Sequence, residues 1–304
     1  MADALGRIAG ILDASGVEFG FAAIAVESGQ EIGLNADALF PTASTFKVPV
    51  MVEVYAQARA GRFAITDRIT FEERHRTIGS GVIQTLAAGL NPTIRDLAML
   101  MIIISDNTAT DILVDLVGAE NVTARMRKLG LAGIHVPVPC VGLFRQAWAL
   151  GMDTPQTYAS IKAASKAAAM PFDGAAYARD ASTNTATAAD LARLNALIWQ
   201  NEAGTPEDCA DMIAIMSNQH FQNRVPRFLP QGCAASKTGS LRGLRNDCGL
   251  IRRGEGDTIA FALFTLDTTD MPHGNSRQLV EADHGIATAM GEVGLALWED
   301  FAKP

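Results

Sequence analysis

The sequence predicts an α+β fold: one antiparallel sheet formed by both chain ends, flanked by helices, with an all-helical subdomain inserted between its strands. Three observations lead there. β-rich runs broken by glycine turns occur near the two ends of the chain. Most of the stretch between them carries apolar residues at helical spacing. No internal repeat or low-complexity segment divides the chain, apart from an alanine-rich patch at residues 163–169.

The start reads as a helix followed by a hairpin. Residues 19–26 (FGFAAIAV) form a short apolar run, Gly29 marks a turn, and residues 31–34 return as a second strand. Helices are expected at residues 48–60, 94–104, 109–116, 122–129, 157–169 and 188–200, the first of them strongly apolar. Residues 233–236 read as a buried strand. Residues 246–252 and 258–266 are β-rich and separated by Gly254-Glu255-Gly256-Asp257, a second hairpin signal. In the tail, residues 276–301, Leu279, Ile286, Met290, Val293, Leu297 and Phe301 recur at helical spacing. The expected organisation is one domain over residues 1–304, with a sheet subdomain at about 1–43 and 231–304 and a helical subdomain at about 44–230. Sites in such proteins often lie where the two parts meet.

Composition bounds the function. A chain of 304 residues, 48% apolar and 19% charged, can bury a sizeable core and does not read as disordered. Its net charge of -8 is opposite to what a duplex nucleic-acid binder or a polybasic membrane-surface protein needs, so neither partner is expected. A local basic pocket for an anionic small-molecule substrate stays open. The longest purely apolar run, residues 97–104, is far short of the ~18 residues that span a bilayer. The first residues lack a basic start followed by an apolar stretch, so no secretory signal is read and a cytoplasmic location is expected. A leader already removed would leave the same start and imply the periplasm. Cys140, Cys209, Cys233 and Cys248 are far apart, with no C-x-x-C pair, and His75, His135, His220, His273 and His284 are scattered. No metal site and no cofactor is expected, and the cysteines read as free, mostly buried thiols.

Three short motifs carry chemistry. Ser44-Thr45-Phe46-Lys47 opens the strongly apolar helix. A serine there sits near unpaired backbone N–H groups, and Lys47 lies one turn along the same face among Phe46, Val48, Pro49 and Val50. A lysine in apolar surroundings loses its proton more easily and can deprotonate the serine. By itself S-x-x-K occurs by chance about once in a chain of this size and is otherwise a capped helix with a solvated lysine. Ser105-Asp106-Asn107 follows the apolar helix 94–104 directly, where the serine can relay a proton and the asparagine amide can hold a substrate carbonyl. The plain alternative is a helix stop and a new N-cap. Lys237-Thr238-Gly239 follows the buried strand 233–236; glycine on a strand lets a ligand approach the backbone, and N–H groups beyond it can stabilise an oxyanion. The plain alternative is an edge strand entering a turn.

S-x-x-K, S-D-N and K-T-G in this order resemble the class A β-lactamase-like serine hydrolases of the β-lactamase and penicillin-binding protein superfamily. The likeness extends to residues 40–47 (FPTASTFK), Gly79-Ser80-Gly81, residues 93–98 leading into residues 105–111, and Arg224-Val225-Pro226 with Leu229-Pro230, and it covers roughly residues 5–300. The resemblance implies that fold and a covalent acyl-Ser44 intermediate. It implies Lys47 as base or proton relay and Ser105 as the shuttle to the leaving nitrogen. Asn107 would hold a substrate amide, and Lys237 and Thr238 would face a substrate carboxylate. The N–H groups of Ser44 and Ser240, beyond Gly239, would form the oxyanion hole. Gly243-Leu244-Arg245 is similar to the ending that carries the family's second carboxylate-binding arginine, which makes Arg245 the candidate; this stretch is one residue shorter than usual.

The resemblance also has a gap. Class A β-lactamases carry a glutamate between S-D-N and K-T-G that activates the deacylating water, and no glutamate occurs here from residue 121 to 201. The aspartates of that span, Asp153, Asp173, Asp180 and Asp190, sit in no matching pattern. The interval is also longer than usual, with the extra material between about residues 137 and 178. There Phe144, Trp148, Met152, Tyr158, Met170 and Phe172 are available to line a pocket or to pack as core. The segment from about Pro139 to Asn184 is expected to form the pocket wall opposite Lys237, leaving Lys47 as the best base for a deacylating water. The expected activity is therefore hydrolysis of a small amide, lactam or ester, carboxylate-bearing, through acyl-Ser44. The alternatives are a true class A-type β-lactamase with a displaced general base, or a non-enzymatic covalent β-lactam-binding sensor.

Overall fold

A strand buried on both faces has to be apolar at every position, and that explains the run near the start of the chain. In the computed structural model, which describes residues 2–151, 157–269 and 277–302, strand β1 (Glu18–Ala25) sends Phe21 and Ala23 to one core and Ala22 and Ile24 to another. Before it, α1 (Ala2–Ala14) buries Ala4, Ile8 and Leu12, one face of a helix. After it, a turn at Gly29 leads to β2 (Gln30–Leu34), which pairs antiparallel with β1. The chain then enters β3 (Leu39–Pro41) and the turn that holds Ser44.

The middle is helical. The helix α2 (Lys47–Arg59) is buried from Lys47 to Gln57, as its mostly apolar sequence requires, and forms the axis of the helical part. Around it come α3 (Ile94–Ile103), started by a Thr93/Asp96 capping box, α4 (Asn107–Val117), capped by Asp106, and α5 (Ala119–Lys128). Then follow α6 (Cys140–Ala147), α7 (Tyr158–Ala167), β4 (Thr185–Thr187), α8 (Ala188–Trp199) and α9 (Pro206–Ser217).

The chain returns to the sheet as β5 (Ala234–Leu241), β6 (Leu244–Gly254) and β7 (Asp257–Leu266), and closes with α10 (Arg277–Asp300). The five strands lie in the order β2-β1-β7-β6-β5, and every pairing is antiparallel. One face of the sheet is covered by α1 and α10, through Ile8, Leu12, Met290, Val293 and Leu297. The other is covered by α8 and the helical part. β5 is a sheet edge, and it runs beside the Ser44 turn.

The α+β expectation and the strands from both ends hold. Four elements were not anticipated. Helix α6 carries only Cys140, Leu143 and Ala147 as its buried positions, and α9 hides a regular set (Cys209, Met212, Ile215, Met216) behind an acidic first turn. β3 and β4 pair with each other as a separate two-stranded ribbon, three residues long on each side, too short for a period-two signal. This ribbon has a positional effect: Thr42 donates its N–H and its hydroxyl to the Asn184 carbonyl, at 2.9 and 3.0 Å, which ties the Ser44 turn to the end of the long middle segment.

Most aromatic residues of that segment pack as core, whereas Tyr158 lines a surface depression with Arg74 and Arg76. Phe144, Trp148 and Phe172 lie against a cluster of Leu143, Ala147, Met170, Ala176, Tyr177, Leu244 and Leu266. Met152, Asp153, His273 and the tail's first residue, Ser276, lie outside the described residues, as does the side chain of Leu279. Among the described residues no group of histidine, cysteine and acidic side chains is placed to hold a metal ion. None of their helices is long and apolar enough to cross a membrane.

Candidate active site

Ser44 sits in a short 3-10 turn (Ala43–Phe46) that runs directly into α2, so the sequence places Lys47 as the first residue of that helix. The residue before the serine, Ala43, has φ +44°, a left-handed conformation that costs a residue with a Cβ and persists only where packing enforces it. Here β5 enforces it. A Cβ on Gly239 would come 2.6 Å from the Thr42 carbonyl oxygen and 3.0 Å from the Ser44 amide nitrogen, so only glycine lets the strand lie this close. Asn246 on β6 completes the anchor by donating to the carbonyls of Pro41 and Thr42 at 2.9 and 3.1 Å.

Lys47 is fully buried. Its Nζ donates to the Ser105 carbonyl at 2.8 Å, to the Ser105 hydroxyl at 3.0 Å and to Asn107 Oδ1 at 2.7 Å. Burial pushes its pKa below the ordinary lysine value, against the opposing pull of Cys140, Asp111 and Asp106. Ser105 has φ +57° between α3 and α4, which turns both its hydroxyl and its carbonyl towards Lys47. That conformation is held from behind by Asp106, whose carboxylate caps α4 at Ala109 and accepts the amides of Val82 and Ile83 at 2.7 and 2.9 Å. The same contacts bring Ser80 against the Ser105 carbonyl, at 2.8 Å. Asn107 is oriented by donating its amide to the Ile78 carbonyl at 2.9 Å.

On the other side Lys237 is also fully buried and donates to the Thr238 carbonyl at 2.6 Å. Burial pushes it well below the ordinary lysine value, and the charge of Lys47 adds to that. The cavity itself, about 190 Å³, is lined by Ser44, Ser80, Ser105, Phe221, Asn223, Arg224, Thr238 and Ser240. A wider depression of about 660 Å³ lies between residues 73–84 and 157–159, but it holds neither Ser44 nor any of its partners.

The structure thus brings together Ser44, Lys47, Ser105, Asn107, Lys237, Thr238, Gly239 and Ser240. It does not bring Arg245 to the cavity. Arg245 lies across from Ser240 in the β5–β6 ladder, yet its guanidinium is bound to Asp283 on α10 and to the carbonyls of Leu241 and Leu244. The cationic lining residue is Arg224 instead. It is nearly buried and donates to the carbonyls of Gly239 and Asn246 and to the Ser240 hydroxyl, and burial lowers its pKa to about 10. The sequence reading missed Arg224: a lone arginine before Val225-Pro226 has no motif of its own, and its place in a segment leading to the K-T-G strand is the one signal that could have found it.

A second correction concerns the long middle segment. Among the described residues none between 139 and 184 lines the cavity; Phe221, Asn223 and Arg224 line it instead. The segment reaches the site from below, through Cys140. Its thiol donates to Asn107 Oδ1 at 3.4 Å, and burial raises its pKa, so it stays protonated. Asp111 fixes it there by accepting the amides of Cys140 and Val141 at 2.6 and 2.9 Å. Asp111 is buried and its pKa is raised to about 6. Asp173 and Asp180 are exposed, and Asp190 is held by the Gly133 amide at 2.6 Å, so none of the three lines the cavity. The His220 side chain points to solvent.

Comparison with known proteins agrees with this architecture. Residues 4–301 match the beta-lactamase enzyme family. A crystal structure of a beta-lactamase from Sphaerobacter thermophilus is similar with 30% identity and a TM-score of 0.76, covering 100% of this chain and 98% of that one. The structure of PBP-A superposes with a TM-score of 0.74 at 21% identity, over 98% of this chain and 97% of that chain, a likeness of fold. In sequence, the beta-lactamase regulatory protein BlaB of Streptomyces cacaoi is 24% identical over 260 residues, 78% of this chain and 81% of that protein. The chain belongs to the beta-lactamase enzyme family.

Proposed function

We propose that this chain is a serine hydrolase that forms a covalent acyl-Ser44 intermediate with a small, carboxylate-bearing amide, lactam or ester. The observation that carries the reading is the Lys47 amine, buried, biased towards its neutral form, and shared between Ser105 and Asn107 beside the Ser44 turn. In this reading a neutral Lys47 takes the Ser44 proton as the hydroxyl attacks the substrate carbonyl. The amides of Ser44 and Ser240 receive the developing oxyanion. Ser105 passes the proton from Lys47 to the leaving nitrogen or oxygen, and the bond to that atom breaks. Asn107 holds the substrate amide. Lys237, Thr238 and Arg224 take the carboxylate, with Arg224 in the role that the sequence assigned to Arg245. Incubation with a fluorescent penicillin, followed by intact mass, should add one label to wild type and none to Ser44→Ala; equal labelling of both overturns the proposal.

Deacylation is the slow half. Among the described residues no carboxylate lines the cavity, and the group facing Lys47 and Asn107 from below is a protonated thiol. Lys47 is then the base left for the second step, and turnover of β-lactams should be slow.

A second reading is supported by the likeness to a beta-lactamase regulatory protein: a covalent β-lactam-binding sensor that acylates and stays acylated. Nitrocefin separates the two. Steady turnover supports a hydrolase, and a single burst with a trapped adduct supports the sensor.

A further inference from the structure

Behind the carboxylate-binding side of the cavity lies a carboxyl group that the reaction does not use. Asp247 is fully buried on β6, directly across from Thr238 on β5. One of its oxygens accepts the Val225 amide at 3.2 Å, and the other is buried with no hydrogen-bond partner. Among the described residues no cation lies within ion-pair distance of it. The Arg224 guanidinium is occupied by Gly239, Asn246 and Ser240, and the Lys237 amine by Thr238. A carboxylate with one oxygen desolvated and unpaired is in a poor state, whereas the neutral acid needs only to place its proton there.

We infer that Asp247 is a positioning residue whose proton is coupled to the substrate: an anionic group binding at Arg224 and Lys237 draws one proton from solvent onto the Asp247 carboxylate. This rests on the proposed role of those two cations. Binding brings a second negative charge to the far side of Arg224 and Lys237, and two like charges sharing the same cations disfavour each other. Protonation relieves this, and by linkage a neutral Asp247 binds the anion more tightly. The charged groups around Asp247 are Arg224 from the 224–228 turn and Lys237 from β5. On its own strand Arg245 is neutralised by Asp283 of α10. Cys248, the next residue, is kept protonated by burial. Burial outweighs the attraction of Arg224 and Lys237 and raises Asp247 to about 7, so a modest push suffices near neutrality.

The test uses the full chain carrying Ser44→Ala, which cannot be acylated, titrated calorimetrically with penicillin G at neutral pH in two buffers of different ionisation enthalpy. Net uptake should be larger by about 0.3 of a proton per ligand with Asp247 present than after Asp247→Asn, which keeps an oxygen for the Val225 amide; any uptake common to both belongs to the buried amines of Lys47 and Lys237. The half-saturating concentration should rise about three- to tenfold as pH is raised from about 6 to about 8.5 with Asp247 present, and stay low and flat in Asp247→Asn. Equal uptake in both proteins, or binding without uptake, overturns the inference. Absence of any binding overturns it together with the role of Arg224 and Lys237. Binding with uptake, while the Ser44-containing chain gains no adduct, sinks the acyl-enzyme reading alone. Should Asp247→Asn fail to fold, the uptake in the Ser44→Ala chain followed across the same pH range decides: a maximum near neutrality is expected, and a flat curve overturns the proposal.

Discussion

Lys47 Nζ lies 3.0 Å from Ser105 Oγ and 2.8 Å from the carbonyl of the same residue, so one buried amine is held by both ends of a residue in left-handed conformation. Among the described residues no ion pair holds the amine, and its neutral form is favoured by burial.

Acylation should therefore rise with pH through a single apparent pKa below the ordinary lysine value, because the neutral amine is the active form. Lys47→Ala should lower the acylation rate by about three orders of magnitude or more, almost as far as Ser44→Ala. Stability follows the same shift. A lysine whose folded pKa is depressed binds fewer protons folded than unfolded, so stability rises with pH across that window and is lowest below it. Lys47→Met should flatten this dependence in thermal melts taken from neutral to alkaline pH. A wild-type labelling rate that follows a carboxylate titration would assign the base elsewhere.

Arg224→Ala and Arg245→Ala should separate binding from scaffolding. The first removes a cation that lines the cavity and should raise the half-saturating concentration of a carboxylate-bearing lactam about tenfold or more, charge-assisted hydrogen bonds being the stronger kind. The second breaks the tie to Asp283 and should lower the melting temperature with little change in saturation. Saturation kinetics and melting curves on both variants check this, and a reversed pattern restores Arg245 as the carboxylate ligand.

Cys140→Asp should speed deacylation. It places a carboxyl group where the thiol meets Asn107, beside Lys47, and a positioned general base contributes about a hundredfold or more. The deacylation rate measured on the preformed adduct should rise, whereas acylation should slow, because the added carboxylate favours the protonated form of Lys47. Cys140→Ala should acylate normally and turn over no faster, which would show that the gain comes from the carboxyl group and not from the space released.

Gly239→Ala should cost both stability and labelling. Its methyl group would sit 2.6 Å from the Thr42 carbonyl oxygen, so either β5 or the Ser44 turn must move, at about 1–3 kcal/mol. Denaturant melts and adduct mass measure the two effects. A variant as stable and as reactive as wild type would show that the strand does not hold the turn.

Much of the fold was legible because its signals are local. The runs FGFAAIAV and IAFALFTL are apolar at nearly every position, Thr265 excepted, as strands buried on both faces must be, and α2 is apolar round most of its surface because it is a central helix. The nucleophile turn, the S-D-N loop and the K-T-G strand were legible for a similar reason, since each places its chemistry within three or four residues. Helices α6 and α9 were passed over because a few small or sulfur-bearing residues carry their buried faces.

What the sequence by itself determined is the set of reactive groups and the elements that present them: Ser44 and Lys47 on one helix start, Ser105 and Asn107 around one helix cap, Lys237 and Thr238 on one strand. Capping, periodicity and turn chemistry act over a few residues and can be read in order. Only the tertiary structure decided which distant groups complete the site. Cys140 meets Asn107 across 33 residues, and Arg224 reaches Ser240 across 16. Two arginines near the K-T-G strand are indistinguishable in sequence; the packing of α10 occupies Arg245 with Asp283, and the turn after Asn223 leaves Arg224 facing the cavity. Such choices depend on which surfaces are buried against each other, a property of the assembled chain that no short window contains.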